Sequence, residues 1–179
     1  VLSQTAFVCS EVGANTEVLT VTDVNGNSTT CSTTITVEDN VAPVAVCQNI
    51  TVQLDNSGNA TITALQVNNG SNDACGIQSL ALNITTFNCA NVNGNTVILT
   101  VTDVNSNTST CSANVTIEDN VAPVAVCQNI TVQLDNSGNA TITASQINNG
   151  SNDACGIQSL ALNITTFNCA NVNGNTVIL

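Results

Sequence analysis

The sequence predicts an all-β chain of tandem β-sandwich modules joined end to end, and three observations predict it. Val, Ile, Leu and Thr alternate with polar residues over short runs, the pattern of half-buried strands. Clusters of Asn, Asp, Gly and Ser punctuate those runs every 8–12 residues or so, the spacing of short strands in a sandwich. Finally, Glu38-Asp39-Asn40-Val41-Ala42-Pro43-Val44-Ala45-Val46-Cys47 returns letter for letter at 118–127, an offset of 80 residues. No helical period is present.

The repeat sets the domain plan. Residues 41–99 and 121–179 are the same apart from Leu65/Ser145 and Val67/Ile147, and residues 1–40 align with 81–120. The chain therefore reads as the back half of one module (1–40), a complete module (41–120) and the front of a third (121–179). A repeat of this length is too long for a solenoid unit and suits an independently folded bead.

Within the complete module, residues 43–54 read as a first strand with Ile50, Val52 and Leu54 on one face. Cys47 falls on the opposite parity, so a bulge or strand switch is expected near Gln48 and Asn49. Asp55-Asn56-Ser57-Gly58-Asn59 is turn chemistry. Residues 60–65 are a second strand, 66–74 a loop, and 76–87 a third strand through Leu80, Leu82 and Ile84. Residues 91–95 are a loop, and 96–103 a strand with Val97, Leu99 and Val101 inward. A tight turn at 104–107 leads to a last strand whose inner face holds Cys111, Ala113, Val115 and Ile117.

Composition excludes more than it assigns. The chain has no Lys, Arg or His, twelve acids and a net charge of −12. It lacks an imidazole base, a Schiff-base amine and a cation to hold an oxyanion, so it does not read as an enzyme. The same charge repels nucleic acid and anionic membrane surfaces. No apolar run approaches the roughly 20 residues of a membrane helix, and no signal peptide opens the chain. Residue 1 already lies inside a repeat, so the missing signal carries no information about the full protein.

The order Cys47, Asp73-Ala74-Cys75-Gly76, Phe87, Gly94-Asn95-Thr96-Val97, Thr102-Asp103-Val104-Asn105-Ser106-Asn107, Thr110-Cys111, Val115-Thr116-Ile117 resembles the hyalin repeat (HYR). That family is an immunoglobulin-like module of extracellular proteins, common in large secreted bacterial surface proteins. The resemblance covers the complete module and both partial ones, and implies tandem immunoglobulin-like sandwiches outside the cell. The chain departs from the family pattern at Cys47-Gln48, where Cys-Pro is usual, and at Leu99, where an aromatic is common.

Nine cysteines, without His or a C-x-x-C pair, favour disulfides and an oxidising compartment over zinc. Buried free thiols are the bland alternative. The odd count is expected because the chain cuts modules at both ends and strands partners outside it. With one aromatic per module the core is thin, and a unit of about 80 residues benefits from covalent staples. First and last strands of a sandwich run side by side, which brings Cys47 to Cys111. The other expected pairs are Cys75–Cys89 and Cys155–Cys169. The rival is Cys31–Cys47 across a junction; four cysteines allow three pairings, and spacing alone does not choose among them.

Strand directions bring three acidic segments to the junction pole: Glu38-Asp39-Asn40, the loop with Asp73, and the turn Asp103 to Asn107 with its alternate-residue oxygens. Asp39, Asp73, Asp103, Asn105, Asp119 and Asp153 are thus candidate ligands for calcium, which takes 6–8 oxygens. The competing reading is that Asp and Asn cap local backbone N–H groups in turns. Neither is excluded by the sequence.

These features predict a structural segment of an extracellular stalk or cell-surface filament, each bead on the order of 35 Å long from strands of about 10 residues. Its partners are the neighbouring repeats, with lateral self-assembly open. The alternative is a calcium-dependent adhesin module gripping carbohydrate or another cell. The near-identical loops, without Trp or Tyr, speak against a binding tip within this stretch.

Overall fold

The computed structural model describes residues 1–179 and is mostly β, with several sheets and three disulfides. Near its start, β1 (Gly13–Thr22) and β2 (Ser28–Val37) form an antiparallel hairpin in register from Gly13↔Val37 to Thr22↔Ser28. Asp23 closes the hairpin by local bonding. One of its oxygens accepts the N–H groups of Asn25 and Asn27, both at 2.8 Å, as Asx turns do.

The repeat that follows contains β3 (Ile50–Gln53), β4 (Asn59–Thr61), a single helical turn α1 (Ala64–Val67), β5 (Ile77–Leu82) and β6 (Thr86–Asn88). It ends with β7 (Asn93–Asp103) and β8 (Thr108–Glu118). One sheet has four strands in the order β3-β8-β7-β5, and β4 pairs with β6 in a second, two-stranded sheet. The Leu54 N–H donates to the Glu118 carbonyl at 2.9 Å, and the Asn114 N–H to the Asn49 side chain at 2.8 Å. Both indices rise together, so β3 and β8 run parallel. The last repeat carries β9 (Asn139–Thr141), α2 (Ala144–Ile147) and β10 (Thr166–Asn168), with β9 paired to β10.

The expected first strand is interrupted where its parity fails. Val44 and Cys47 bridge to Asn72 and Asn68, whereas β3 begins only at Ile50 and joins β8. The chain thus switches partners across Gln48 and Asn49, and Cys47 no longer has to share a face with Ile50.

Two expectations are corrected. Residues 66–74 are not all loop, because α1 reaches Val67. The Thr63 N–H donates to the Gln66 side-chain oxygen at 2.7 Å, half of a capping box that starts one helical turn. The long third strand 76–87 is broken into β5 and β6, which join different sheets.

The chain forms two compact units, Val1–Ile50 with Ile62–Thr85 and Gly94–Thr116, and Thr51–Thr61 with Thr86–Asn93 and Ile117–Leu179. In the first, Val67, Val97, Leu99, Val101 and Val115 are fully buried. Their alternation along β7 and β8 is the inward face predicted from sequence. In the second, the buried residues include Leu54, Ala60, Phe87, Ile117, Ala140, Ile142 and Ile147. No helix is long and apolar enough to cross a membrane.

Candidate functional site: the junctions between repeats

Cys47 is bonded to Cys111, with 5.8 Å between their Cα atoms. The other two bonds depart from expectation. Cys75 joins Cys9 and not Cys89; Cys89 joins Cys155; and Cys169, expected to pair with Cys155, is unpaired. Both of these bridges span 66 residues with Cα atoms 5.2 Å apart. Since 9 and 89 are equivalent positions, as are 75 and 155, one bond occurs twice: each ties a repeat to the next.

The strand plan explains the correction. Ile77, two residues after Cys75, pairs with Asp103 at the end of β7, whereas Cys89 precedes the beginning of that strand. Eleven residues of β7 intervene, too long a span for a bond that needs Cα atoms within about 7 Å. A signal for the observed pairing was present in the sequence: the distances 9 to 75 and 89 to 155 are equal, as repeat-to-repeat bonding requires.

The second bridge rests on a glycine. Gly58 has φ +73°, and a Cβ there would lie 2.7 Å from the Cys89 sulfur and 3.1 Å from the Ala154 Cβ. Asp55 holds this turn, accepting the N–H groups of Ser57 at 2.8 Å and Asn59 at 3.0 Å. Turn chemistry therefore places the backbone against the staple, and only glycine leaves room for it.

Beside the first bridge lie the acids. One carboxylate oxygen each from Asp39 and Asp73, together with the Cys75 sulfur, fall within 4.8 Å of one another; Asp119, Asp153 and Cys155 repeat the arrangement. Both cysteine sulfurs are consumed by disulfides, so the carboxylates remain as potential ligands. Asp39 accepts the Val41 N–H at 3.0 Å and Asp73 the Cys75 N–H at 2.7 Å. The second oxygen of Asp39 and the side-chain oxygen of Asn105 are buried without a hydrogen-bond partner.

Asp103, expected among the ligands, is fully buried on the inward parity of β7. One of its oxygens accepts the N–H groups of Asn105 at 2.9 Å and Asn107 at 2.8 Å, and the other accepts the Asn107 side-chain amide at 2.8 Å. Burial opposes its charge, but these bonds from Asn107 and Asn105 outweigh burial and hold its pKa below the ordinary carboxylate value. Its alternate-residue partners close a turn around the carboxylate. The Asn107 amide also reaches the Asp39 carbonyl at 3.0 Å, tying the turn to the segment that enters the module.

Comparison with protein-family models and with curated proteins finds no match.

Proposed function

We propose that this chain is a spacer: a stalk segment of tandem immunoglobulin-like sandwich modules resembling hyalin repeats, set outside the cell and performing no catalysis. The observation that carries the reading is the bond that ties each repeat to its successor, Cys9–Cys75 and again Cys89–Cys155. Disulfides persist in oxidising compartments. A chain without Lys or Arg also offers no trypsin-type cleavage site, which suits an exposed location.

The bonds shorten the load path. Tension entering at residue 1 runs to Cys9, crosses to Cys75, follows the chain to Cys89 and crosses to Cys155. At about 3.6 Å per extended residue the oxidised chain reaches about 180 Å at full stretch, against about 640 Å when reduced. Pulling single molecules from the two ends measures this difference. Equal contour lengths before and after reduction overturn the spacer reading.

A second reading, that calcium stiffens the junctions, is favoured by the paired carboxylates Asp39 and Asp73 and by the unpartnered oxygens of Asp39 and Asn105. Those three residues would hold the cation, and Asp119 with Asp153 would serve the next junction. Added calcium raises the melting temperature and a chelator lowers it under this reading. An Asp39→Asn, Asp73→Asn variant loses the response; a response that persists in this variant refutes the assignment.

A further inference from the structure

The same sequence meets two environments in this chain. In residues 41–120, β8 lies between β3 and β7. In residues 121–179 the corresponding lane, between 130–133 and 173–177, is an open groove of about 780 Å³ whose walls include Ile130, Val132, Leu134, Phe167 and Val177. Cys127 lines that groove, exposed and unpaired. It stands where Cys47 of the other copy is bonded to Cys111 of β8.

The complementary piece lies at the other end of the chain. Shifted by 80, β1 and β2 become 93–102 and 108–117, within a residue of the bounds of β7 and β8. Cys31 of β2, the equivalent of Cys111, is exposed and unpaired. The apolar face of the hairpin is bare: Val21 is 53% exposed, whereas its counterpart Val101 is 0% exposed. A half-module without a front and a half-module without a back occupy one molecule, and residues 41–120 display the joined product.

We propose that the groove lined by 127–134 and 171–177 accepts β2 of a second copy of this chain, with Cys127 of one copy bonded to Cys31 of the next. Copies then join head to tail, a heterologous contact that does not use up either end and so propagates. The incoming β1 remains paired to β2 and takes the lane of residues 173–179, which the Ile178–Asn163 hydrogen bonds of 2.8 and 3.1 Å hold in place in the single chain. The inference rests on repeat equivalence and not on the spacer reading, so each can fail alone.

Glutathione disulfide supplies the oxidation. The Cys127 thiolate attacks one of its sulfurs and expels glutathione thiolate. The Cys31 thiolate of the second copy then attacks the Cys127 sulfur and expels the second glutathione. Two protein thiols become one disulfide, and the two protons leave on the two glutathiones.

The test removes the third free thiol with Cys169→Ser and then compares Cys31→Ser, Cys127→Ser and their mixture under glutathione disulfide. The chain with both thiols is expected to give a covalent ladder on non-reducing electrophoresis. Each single variant alone gives no ladder, and the equimolar mixture gives a dimer. Cleavage at glutamates should release the Cys31 peptide linked to the Cys127 peptide. An excess of synthetic peptide 108–118 should abolish the ladder. Homodimers in either single variant, a mixture that stays monomeric, or a Cys31–Cys127 bond within one chain overturns the proposal. Intact masses confirming the other three disulfides in every variant show that its fold has survived.

Discussion

Residues 41–99 and 121–179 are the same chain written twice, yet they do not adopt the same structure. The turn at Asp55 and that at Asp135 use the same bonds, α1 matches α2, and the β4–β6 pair matches β9–β10. The strands β3 and β5 have no counterparts at 130–133 and 157–162. Burial divides the same way: Ala60 and Ala140 are both 8% exposed, whereas Ile130 in the second copy is 37% exposed and Leu134 is only half-buried where Leu54 is 4% exposed. Elements closed by local hydrogen bonds form in both copies, and elements that need β8 form only where β8 is present. Strand propensity here is permission, and the partner decides.

This comparison can be broken first in the core. Leu99→Ala removes a fully buried side chain from the middle of β7 and is expected to cost about 2–5 kcal/mol. Leu179→Ala, the same change in the half-buried counterpart, should cost about 1 kcal/mol or less, since less apolar surface leaves the interior. Urea unfolding followed by circular dichroism reads both; equal losses would mean that the two copies share a core after all.

The glycine beneath the staple gives a smaller contrast. Gly58→Ala demands a positive φ of an L-residue and pushes a methyl toward a sulfur tied to Cys155, with an expected loss of about 1–3 kcal/mol. Gly138→Ala meets the Cys169 sulfur at 2.8 Å, but that cysteine is unpaired and its side chain can rotate away. The Gly138 variant should therefore retain the higher melting temperature of the two.

The smallest expected effect separates the two hairpins. Asp103 and Asp23 both have pKa values lowered by bonds from the asparagine four residues on, but only Asp103 is buried. A carboxylate whose folded pKa is depressed adds stability above its unfolded pKa, and that stability disappears as pH falls through the folded value. Asp103→Asn should therefore lower the melting temperature at neutral pH and flatten its decline below pH 4 or so. Asp23→Asn, in the exposed turn, should change the acid limb less. A steeper acid decline after Asp103→Asn would reverse the sign argued here.

Much of this was legible before any coordinates. The inward residues of β7 and β8 follow from alternation, and the break at Gln48 and Asn49 follows from the parity of Cys47. Asp103 was legible too, since it continues the parity of Val97, Leu99 and Val101 and so had to be buried with its bonds satisfied. The helical turn at Ala64 was hidden by a search for periodicity, because one turn has no period; Thr63 and Gln66 were its only sign. The pairing of Cys9 with Cys75 was not readable from either module alone. It depends on how the end of one repeat meets the loop of the next, a contact between residues 66 apart that no local preference encodes. Of the candidate ligands, Asp39 and Asp73 converge as expected, while Asp103 answers to its own turn.

The three closed rings overlap. They cover 9 to 75, 47 to 111 and 89 to 155, so every peptide bond from Cys9 to Cys155 lies inside at least one of them. A protease that nicks the backbone once anywhere in that stretch opens a ring but releases no fragment. Had the cysteines closed as Cys75–Cys89, Cys47–Cys111 and Cys155–Cys169, one cut between 111 and 155 would have parted the molecule. The observed braid makes survival of damage a property of connectivity, independent of how stable any one fold is.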